Sequence, residues 1–266
     1  MLPPFDLHRP TSVAAAVALL DEDHLGYWGG TELLIAMTMG LLAPAGLVDL
    51  KRIPELREIR DDGTRVVIGA GVTHDELATS PIITSAVPLL ADVESRVGNA
   101  RVRAQGTIGG NLCFGEPRSD VATALLALDA EVGLESRSGR RTVPIAEFVL
   151  GPYWTAREPD ELLVEISIPQ PAAPGVYLKF QVTERPTVGV AALVVPSTGR
   201  CRVVVGAVAE IPMVFDHDSW AAVDPSAIAG RLEPIGDLTG SVEYKQHVTA
   251  VFVARAVRAA QQEVEQ

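Results

Sequence analysis

The chain alternates short apolar runs of two kinds, one with helical spacing and one with the consecutive or alternating β-branched residues typical of strands. Helices are predicted where a polar cap precedes apolar residues at helical spacing. They cover 13–20, 32–42, 73 onward, 88–97, 121–128 and 244–262. Strands are predicted at 24–28, 47–50, 65–70, 130–134, 141–143 and 162–168, with three more at 177–182, 188–195 and 202–208. This mixture predicts an α+β fold with an α/β-like alternation in its first half.

A stretch rich in chain-breaking residues separates the first half from the remainder. Pro169, Pro171 and Pro174 precede Gly175, and such residues interrupt helices and strands alike. We place the main domain boundary in this stretch, with a first domain over 1–170 and a C-terminal domain over 176–266. Because the C-terminal part holds three predicted strands and one long amphipathic helix, we expect a small sheet covered by a helix.

Two glycine-rich segments carry the candidate chemistry. The first runs from Trp28 to Leu34, and the second from Gln105 to Asn111, where we predict a loop rather than a helix or strand. Glycines let a ligand approach the backbone closely, and consecutive backbone N–H groups suit a phosphate or pyrophosphate. Neither segment has the G-x-G-x-x-G or G-x-x-x-x-G-K-[ST] spacing of a nucleotide-binding loop. Taken singly, each segment is explained as well by an ordinary tight turn.

Composition and charge exclude several functional classes. Lys and Arg number 22 against 34 Asp and Glu, a formal net charge of −12, so we expect neither nucleic acid nor an acidic membrane surface as a partner. Cys113 and Cys201 are the only cysteines, which excludes a disulfide scaffold and a four-cysteine iron–sulfur or zinc site. With no secretory pattern at the start and no apolar run long enough to cross a bilayer, we expect a cytoplasmic protein.

Several other residues receive structural interpretations. The five histidines show no metal-ligand spacing, so no metal site is expected, and His74 is interpreted as a surface or packing residue. Cys113 is interpreted as a small core residue. Tyr153 and Trp154 are interpreted as core packing, with shielding of a cofactor as the alternative.

The two glycine segments, taken together with an acidic residue downstream, form a specific pattern. Gly29–Leu34 (GGTELL) and Thr107–Leu112 (TIGGNL), followed by Pro117 and Ser119-Asp120, resemble the FAD-binding (medium) subunits of the molybdenum hydroxylases. This is the family of the carbon monoxide dehydrogenase medium subunit and the xanthine dehydrogenase flavin domain. Further segments fit the same family and extend the resemblance over nearly the whole chain: 49–56, 69–74, 102–106, 159–163, 177–180 and 240–244. The chain departs from the family pattern at Trp28, where a small residue usually precedes the glycines.

The resemblance implies FAD as cofactor and a two-lobed FAD-binding domain of the vanillyl-alcohol oxidase type, with its subdomains divided near 55–62. One wall, holding the pyrophosphate through backbone amides, would consist of Gly29, Gly30, Thr31, Glu32 and Leu33. The second wall would consist of Thr107, Ile108, Gly109, Gly110 and Asn111. Asp120 would accept hydrogen bonds from ribose or nearby hydroxyls, Leu163 would bring a backbone group to the adenine or flavin edge, and Lys179 would place a cation near the isoalloxazine. No catalytic residue is assigned.

The resemblance also implies an electron-transfer function. The chain would accept electrons from a [2Fe–2S] subunit, supplied in turn by a molybdopterin subunit, and would pass them to a small-molecule acceptor. The low cysteine content requires that iron–sulfur clusters belong to partner subunits. Two alternatives stay open: a stand-alone FAD-dependent oxidoreductase acting on a small organic, for example biosynthetic, substrate, and a flavin-free relative serving as a binding or assembly protein.

Overall fold

A computed structural model describes residues 2–265, and its N-terminal part contains a small parallel sheet. The strands are β1 (Asp6–His8), β2 (His24–Tyr27) and β3 (Gly46–Asp49), in the order β1-β3-β2 with both pairs parallel. Parallel strands need crossover connections, and these contain the short helices α1 (Val13–Val17) and α2 (Leu33–Thr38). The turn from β2 into α2 holds the first glycine segment.

A five-stranded antiparallel sheet forms the middle of the molecule. In spatial order its strands are β4 (Ile59–Asp61), β5 (Arg65–Gly69), β10 (Leu162–Pro169), β6 (Glu131–Ser136) and β7 (Gly139–Pro144). Between β5 and β6 the chain forms α3 (His74–Thr79), α4 (Pro81–Ala86), α5 (Pro88–Ser95), α6 (Ala100–Gln105), α7 (Ile108–Phe114) and α8 (Asp120–Ala127). Between β7 and β10 it forms α9 (Ile145–Phe148) and the hairpin of β8 (Val149–Gly151) and β9 (Trp154–Thr155). Apolar residues of the sheet and the helices share one buried core.

The C-terminal part is an antiparallel meander covered by a long helix. Its strands are β11 (Gly175–Gln181), β12 (Pro186–Val194), β13 (Cys201–Gly206) and β14 (Met213–His217), and its helices are α10 (Pro225–Arg231) and α11 (Val242–Val264). All nine residues of β12 are buried, because α11 packs against this strand and α8 of the middle part does so too. The meander is therefore packed between its own helix and the preceding part of the chain.

The mixed α+β class predicted from the sequence is confirmed. The helix predicted from residue 73 onward is present, and Thr73 and Glu76 form a capping box at its start. The Thr73 side chain accepts from Glu76 N, and the Glu76 carboxylate accepts from Thr73 N. The strands predicted at 130–134 and 141–143 are present as the hairpin of β6 and β7. The three strands and the terminal helix of the C-terminal part also appear where predicted, with β14 and α10 as additional elements.

The prediction of a loop over 105–111 is correct only at 106 and 107, because Gln105 is the last residue of α6 and α7 begins at Ile108. Thr107 caps this helix, since its Oγ1 accepts a hydrogen bond from Gly110 N at 3.1 Å. The two glycines lower intrinsic helix propensity, and tertiary packing overrides that preference. Conversely, the helix predicted over 32–42 ends at Thr38, because Gly40 adopts a left-handed φ of +75°.

Candidate functional site

A cavity of about 470 Å³ lies where the three parts of the chain meet. Its walls come from the turn after β2, from the helical region that follows β5, and from the connection between β11 and β12. Both glycine segments border it. The volume falls within the range of about 300–1,000 Å³ found for small-molecule and cofactor sites.

The first glycine segment forms one wall. The residues that line the cavity here are Gly29, Gly30, Thr31, Glu32 and Leu33. Gly30 has φ of +67°, in the left-handed region that favours glycine. A Cβ atom on Gly29 would collide with the carbonyl oxygen of Gln105. The absence of a side chain at Gly29 therefore lets the first segment touch the second one at its first residue.

The second glycine segment forms the neighbouring wall as the first turn of α7. Four of its five predicted site residues line the cavity, Thr107, Gly109, Gly110 and Asn111, whereas Ile108 is fully buried in the core. A Cβ on Gly109 would lie 2.6 Å from the Cβ of Ala70, so this glycine permits close packing of α7 on the end of β5. A Cβ on Gly110 would meet only Thr107 Oγ1 within 4 Å, at 3.0 Å, so this position is open on the cavity side.

Asp120 lines the cavity at the first position of α8 and accepts hydrogen bonds from two protein side chains. Tyr177 donates its hydroxyl to Asp120 Oδ1 at 2.5 Å, and Lys179 donates from Nζ to Asp120 Oδ2 at 2.8 Å. Burial, and then the adjacent Asp120 carboxylate, raise the pKa of the Tyr177 phenol well above its ordinary value. Both oxygens of Asp120 thus already accept one hydrogen bond each, although a carboxylate oxygen can accept a second.

Lys179 does not line the cavity. Its Nζ donates to the Asp120 carboxylate and to the backbone oxygen of Arg96, both at 2.8 Å. The structure therefore places the Lys179 charge against Asp120. The proposed contact with the isoalloxazine stays a prediction.

Leu163 and Trp28 add apolar surface to the cavity. Leu163 belongs to β10, as predicted from the alternating pattern of this strand. Trp28 packs into the N-terminal core with its indole ring against Gly71, where a Cβ atom would collide with the ring. Glycine at 71 makes room for the large residue that departs from the family pattern.

His74 corrects one sequence interpretation in part. It is a buried residue, as the packing interpretation requires, but it also lines the cavity and is paired. Its Nδ1 lies 2.5 Å from Glu94 Oε2, and the two side chains are 3% and 0% exposed. The partners stand 20 positions apart on α3 and α5, so no local sequence signal connects them. A buried imidazole oriented by a carboxylate is an arrangement that can hold a proton at the cavity wall.

The interpretation of Tyr153 and Trp154 as core residues is wrong. Their exposed fractions are 59% and 64%, because the β8–β9 hairpin carries them on its surface. Tyr153 has a positive φ of 57°, uncommon for a residue other than glycine, and it lines the cavity. Its hydroxyl donates to Glu116 Oε2 at 3.0 Å.

Cys113 is partly buried and lines the cavity, rather than lying wholly within the core. Burial raises the pKa of its thiol, which keeps the thiol protonated and weakly nucleophilic at neutral pH. Within residues 2–265 no group of three or more His, Cys, Asp and Glu side chains is placed to hold a metal ion. Over the same range, none of the helices combines the length and apolarity that a membrane span requires.

Comparison with known proteins assigns this fold and cavity to a class of flavoproteins. Over residues 3–171 the chain matches the family described as the FAD-binding domain in molybdopterin dehydrogenase, and it belongs to that family. The carbon monoxide dehydrogenase medium chain of Hydrogenophaga pseudoflava is 36% identical over 284 aligned positions, which cover 98% of each chain. The nicotine 6-hydroxylase medium subunit of Paenarthrobacter nicotinovorans is 30% identical, over 96% of this chain and 97% of the relative. A chain in the crystal structure of quinoline 2-oxidoreductase from Pseudomonas putida 86 superposes over the full length of both chains with a TM-score of 0.92 at 28% identity.

FAD is accordingly the cofactor, and the chain is a FAD-binding subunit of the molybdenum hydroxylase family of oxidoreductases. The residues present fit that group. Gly29 and Gly110 have no side chain, so backbone borders the cavity at these positions. Trp28 and Leu163 supply apolar lining. A dinucleotide needs this combination of close backbone approach and apolar surface.

Proposed function

We propose that the chain is the electron-transfer flavoprotein of a cytoplasmic molybdenum hydroxylase complex. It would accept electrons from a [2Fe–2S] subunit that is served by a molybdopterin subunit, and it would pass them to a small-molecule acceptor. Three observations support this: the family, the match over nearly the full length of subunits named medium chain or medium subunit, and the lack of a metal-ligand cluster among residues 2–265. The oxidation of the organic substrate then belongs to a partner.

Bound FAD supplies redox chemistry that couples one-electron carriers to two-electron acceptors. The residues of this chain bind and orient it. We propose that the segment 29–33 holds the pyrophosphate with backbone N–H groups and that 107–111 forms the facing wall. Asp120 would use its remaining acceptor capacity toward a ribose or ribityl hydroxyl, and Leu163 would present backbone to a ring edge. The cavity-lining positions of these residues support these roles, except for Ile108, which would act by anchoring α7 in the core.

For the fold, we propose that residues 1–170 form a two-lobed FAD-binding domain of the vanillyl-alcohol oxidase type, with lobes divided near 55–62, followed by a C-terminal domain over 176–266. Separate sheets before residue 55 and after residue 58 support the two lobes. The C-terminal connection that borders the cavity supports a direct role of the second domain in the site.

The observation that carries the proposal is the cavity bordered by two glycine segments, within a chain of this family. Isolation of the chain from its native host tests it. We expect one FAD per chain after extraction, with molybdenum, iron and labile sulfide in the same purified complex. Flavin in a preparation that lacks molybdenum and iron, together with turnover of an organic substrate by the chain alone, would contradict the relay.

The stand-alone oxidoreductase is retained as a second candidate because of His74. A buried His–Glu pair at the cavity wall is what a flavoenzyme would need to take a proton from a bound substrate. Substitution of His74 by Gln distinguishes the two: substrate oxidation by the isolated chain, lost in H74Q, would favour the second candidate. The relay predicts that the isolated wild-type chain oxidises no organic substrate.

A further inference from the structure

Arg185 brings the C-terminal part of the chain to the cavity. It lies in the connection between β11 and β12, beyond the matched family region that ends at residue 171. It lines the cavity, and its guanidinium contacts two carboxylates from other parts of the chain. Nη2 lies 2.9 Å from both oxygens of Glu32, and Nη1 donates to Glu116 Oε2.

The two carboxylates belong to the two walls of the cavity. Glu32 is the last residue before α2 in the first glycine segment, and its side chain makes no capping hydrogen bond there. Glu116 follows α7, which contains the second glycine segment, and its side chain is only 8% exposed. Glu116 also accepts hydrogen bonds from Tyr153 OH, at 3.0 Å, and from Arg118. Glu32, Arg185 and Glu116 together form what we call the Arg185 bridge. Its Glu116 end is held in place by Tyr153 of the β8–β9 hairpin.

Charge gives the bridge a second consequence. Glu32 and Glu116 both line the cavity in which we place FAD, an anionic dinucleotide. Their carboxylates would repel the diphosphate, and repulsion is strong where water is largely excluded. Arg185, together with Arg118, neutralises this pair of negative charges.

We propose that Arg185 is a positioning residue for FAD, which ties the first glycine segment to the loop after the second one and so sets the separation of the two walls. This inference rests on the proposed location of the FAD site. We assign the residue to act through Glu32 and Glu116 rather than as a direct ligand of the phosphates, because three of the five N–H donors of its guanidinium are directed at these carboxylates.

The test compares FAD dissociation from the full chain in wild type, Arg185→Gln, Glu32→Gln and the double variant. The dissociation rate is measured by transfer of released flavin to a trapping apoflavoprotein, and unfolding of the flavin-free chain is measured in parallel. We expect each single variant to release FAD about tenfold faster, in the range that loss of a charge-assisted hydrogen bond produces. The double variant should release FAD no faster than Arg185→Gln, because both substitutions remove the same bridge.

Two further variants make the result specific. Arg185→Lys keeps the charge but cannot contact two carboxylates with a planar guanidinium. Its FAD release should therefore be slower than that of Arg185→Gln but still faster than that of the wild type. Arg60→Gln is the matched control, since Arg60 pairs with Glu165 at 3.3 Å and does not line the cavity. It should leave the rate unchanged. The Arg185–Glu32 pair is about one-third exposed, and the more buried Glu116 keeps Arg118 and Tyr153 as partners, so the stability of the flavin-free chain should hardly change in any variant.

The outcomes separate the rival explanations. Slower FAD release in Glu32→Gln, combined with faster release in Arg185→Gln, would show that Arg185 acts through its charge toward the phosphates and not by joining the two walls, and would overturn the positioning role. Unchanged release in both variants, with normal flavin in the wild type, would also overturn it. A wild-type chain that binds no FAD would overturn the proposed location of the site together with this inference.

Discussion

The ammonium group of Lys179 lies 2.8 Å from Asp120 Oδ2, and the two side chains are 9% and 7% exposed. This ion pair joins β11 of the C-terminal part to the start of α8 at the cavity wall. Tyr177, on the same strand, donates to the other oxygen of the same carboxylate. The lysine that the family resemblance places near the isoalloxazine therefore has a partner within the protein, and its first role is to compensate a buried charge.

Substitution of Lys179 by Met should destabilise the chain, because it leaves the Asp120 carboxylate buried without a cation. We expect a loss of about 3 kcal/mol in the free energy of unfolding, measured by urea denaturation of the flavin-free protein. The double variant Lys179→Met/Asp120→Asn should recover part of this loss, since no unpaired charge remains. Equal stability of wild type and Lys179→Met would contradict the role of Lys179 in compensating the buried charge of Asp120.

The same variant tests the predicted contact with the isoalloxazine. A cation beside the flavin favours its anionic reduced form, so removal of the charge should lower the midpoint potential by some tens of millivolts, on the scale where about 30 mV corresponds to 1.4 kcal/mol for two electrons. A redox titration of Lys179→Met measures this. An unchanged potential would restrict Lys179 to its role toward Asp120.

Substitution of Gly110 by Val should remove FAD without unfolding the chain. A Cβ at this position meets only Thr107 Oγ1 within 4 Å, so the added side chain projects toward the cavity rather than into the core. Flavin absorbance per chain should fall to a small fraction of the wild-type value while the circular dichroism spectrum is retained. Gly230→Val is the control, because no atom lies within 4 Å of a Cβ built there and the residue does not border the cavity. Full flavin occupancy in Gly110→Val would exclude this segment as a wall of the site.

Removal of the His74 imidazole should lower the free energy of unfolding more than removal of the charge on its partner, Glu94. Glu94 Oε1 is buried without a hydrogen-bond partner within residues 2–265. Over the same range, His74 is the one hydrogen-bond partner of Glu94 Oε2. His74→Phe leaves this carboxylate unpaired, and we expect a loss of about 3 kcal/mol in denaturant unfolding. Glu94→Gln retains an acceptor for Nδ1–H and should lose less than half as much. A larger loss in Glu94→Gln than in His74→Phe would contradict this account.

The loss of stability at acidic pH should depend on Asp237 in the C-terminal part. Burial raises the pKa of Asp237, but hydrogen bonds from Thr239 and Lys245 outweigh it and lower the pKa to about 2. A depressed folded-state pKa stabilises the fold above the unfolded value of about 3.9, and this contribution is lost as the pH falls toward 2. Unfolding free energies measured between pH 4 and pH 2 should therefore decline less steeply in Asp237→Asn than in the wild type. Parallel slopes in the two proteins would exclude a linked titration of this carboxyl.

Features that depend on neighbouring residues could be predicted from the sequence. The capping box at Thr73, the hairpin of β6 and β7, and the amphipathic α11 each follow from residues a few positions apart, whose interactions are the same in almost any tertiary context. Eleven of the thirteen predicted cofactor residues border the cavity, because the family motifs lie in two segments whose glycines demand a close approach. Their contacts with FAD stay a prediction.

Tertiary structure alone decided the remaining features. Gly109 lies in a helix rather than a loop because packing on Ala70 rewards a residue without a side chain more than helix propensity penalises it. Lys179 meets Asp120 across 59 positions, and Arg185 meets Glu32 across 153. Such pairs form only when separate elements pack together, and the charge of an isolated residue in the sequence does not reveal which opposite charge it will face. The sequence by itself determined the family and the glycine walls, while the arrangement of charges around the cavity was set by the packing of three distant parts of the chain.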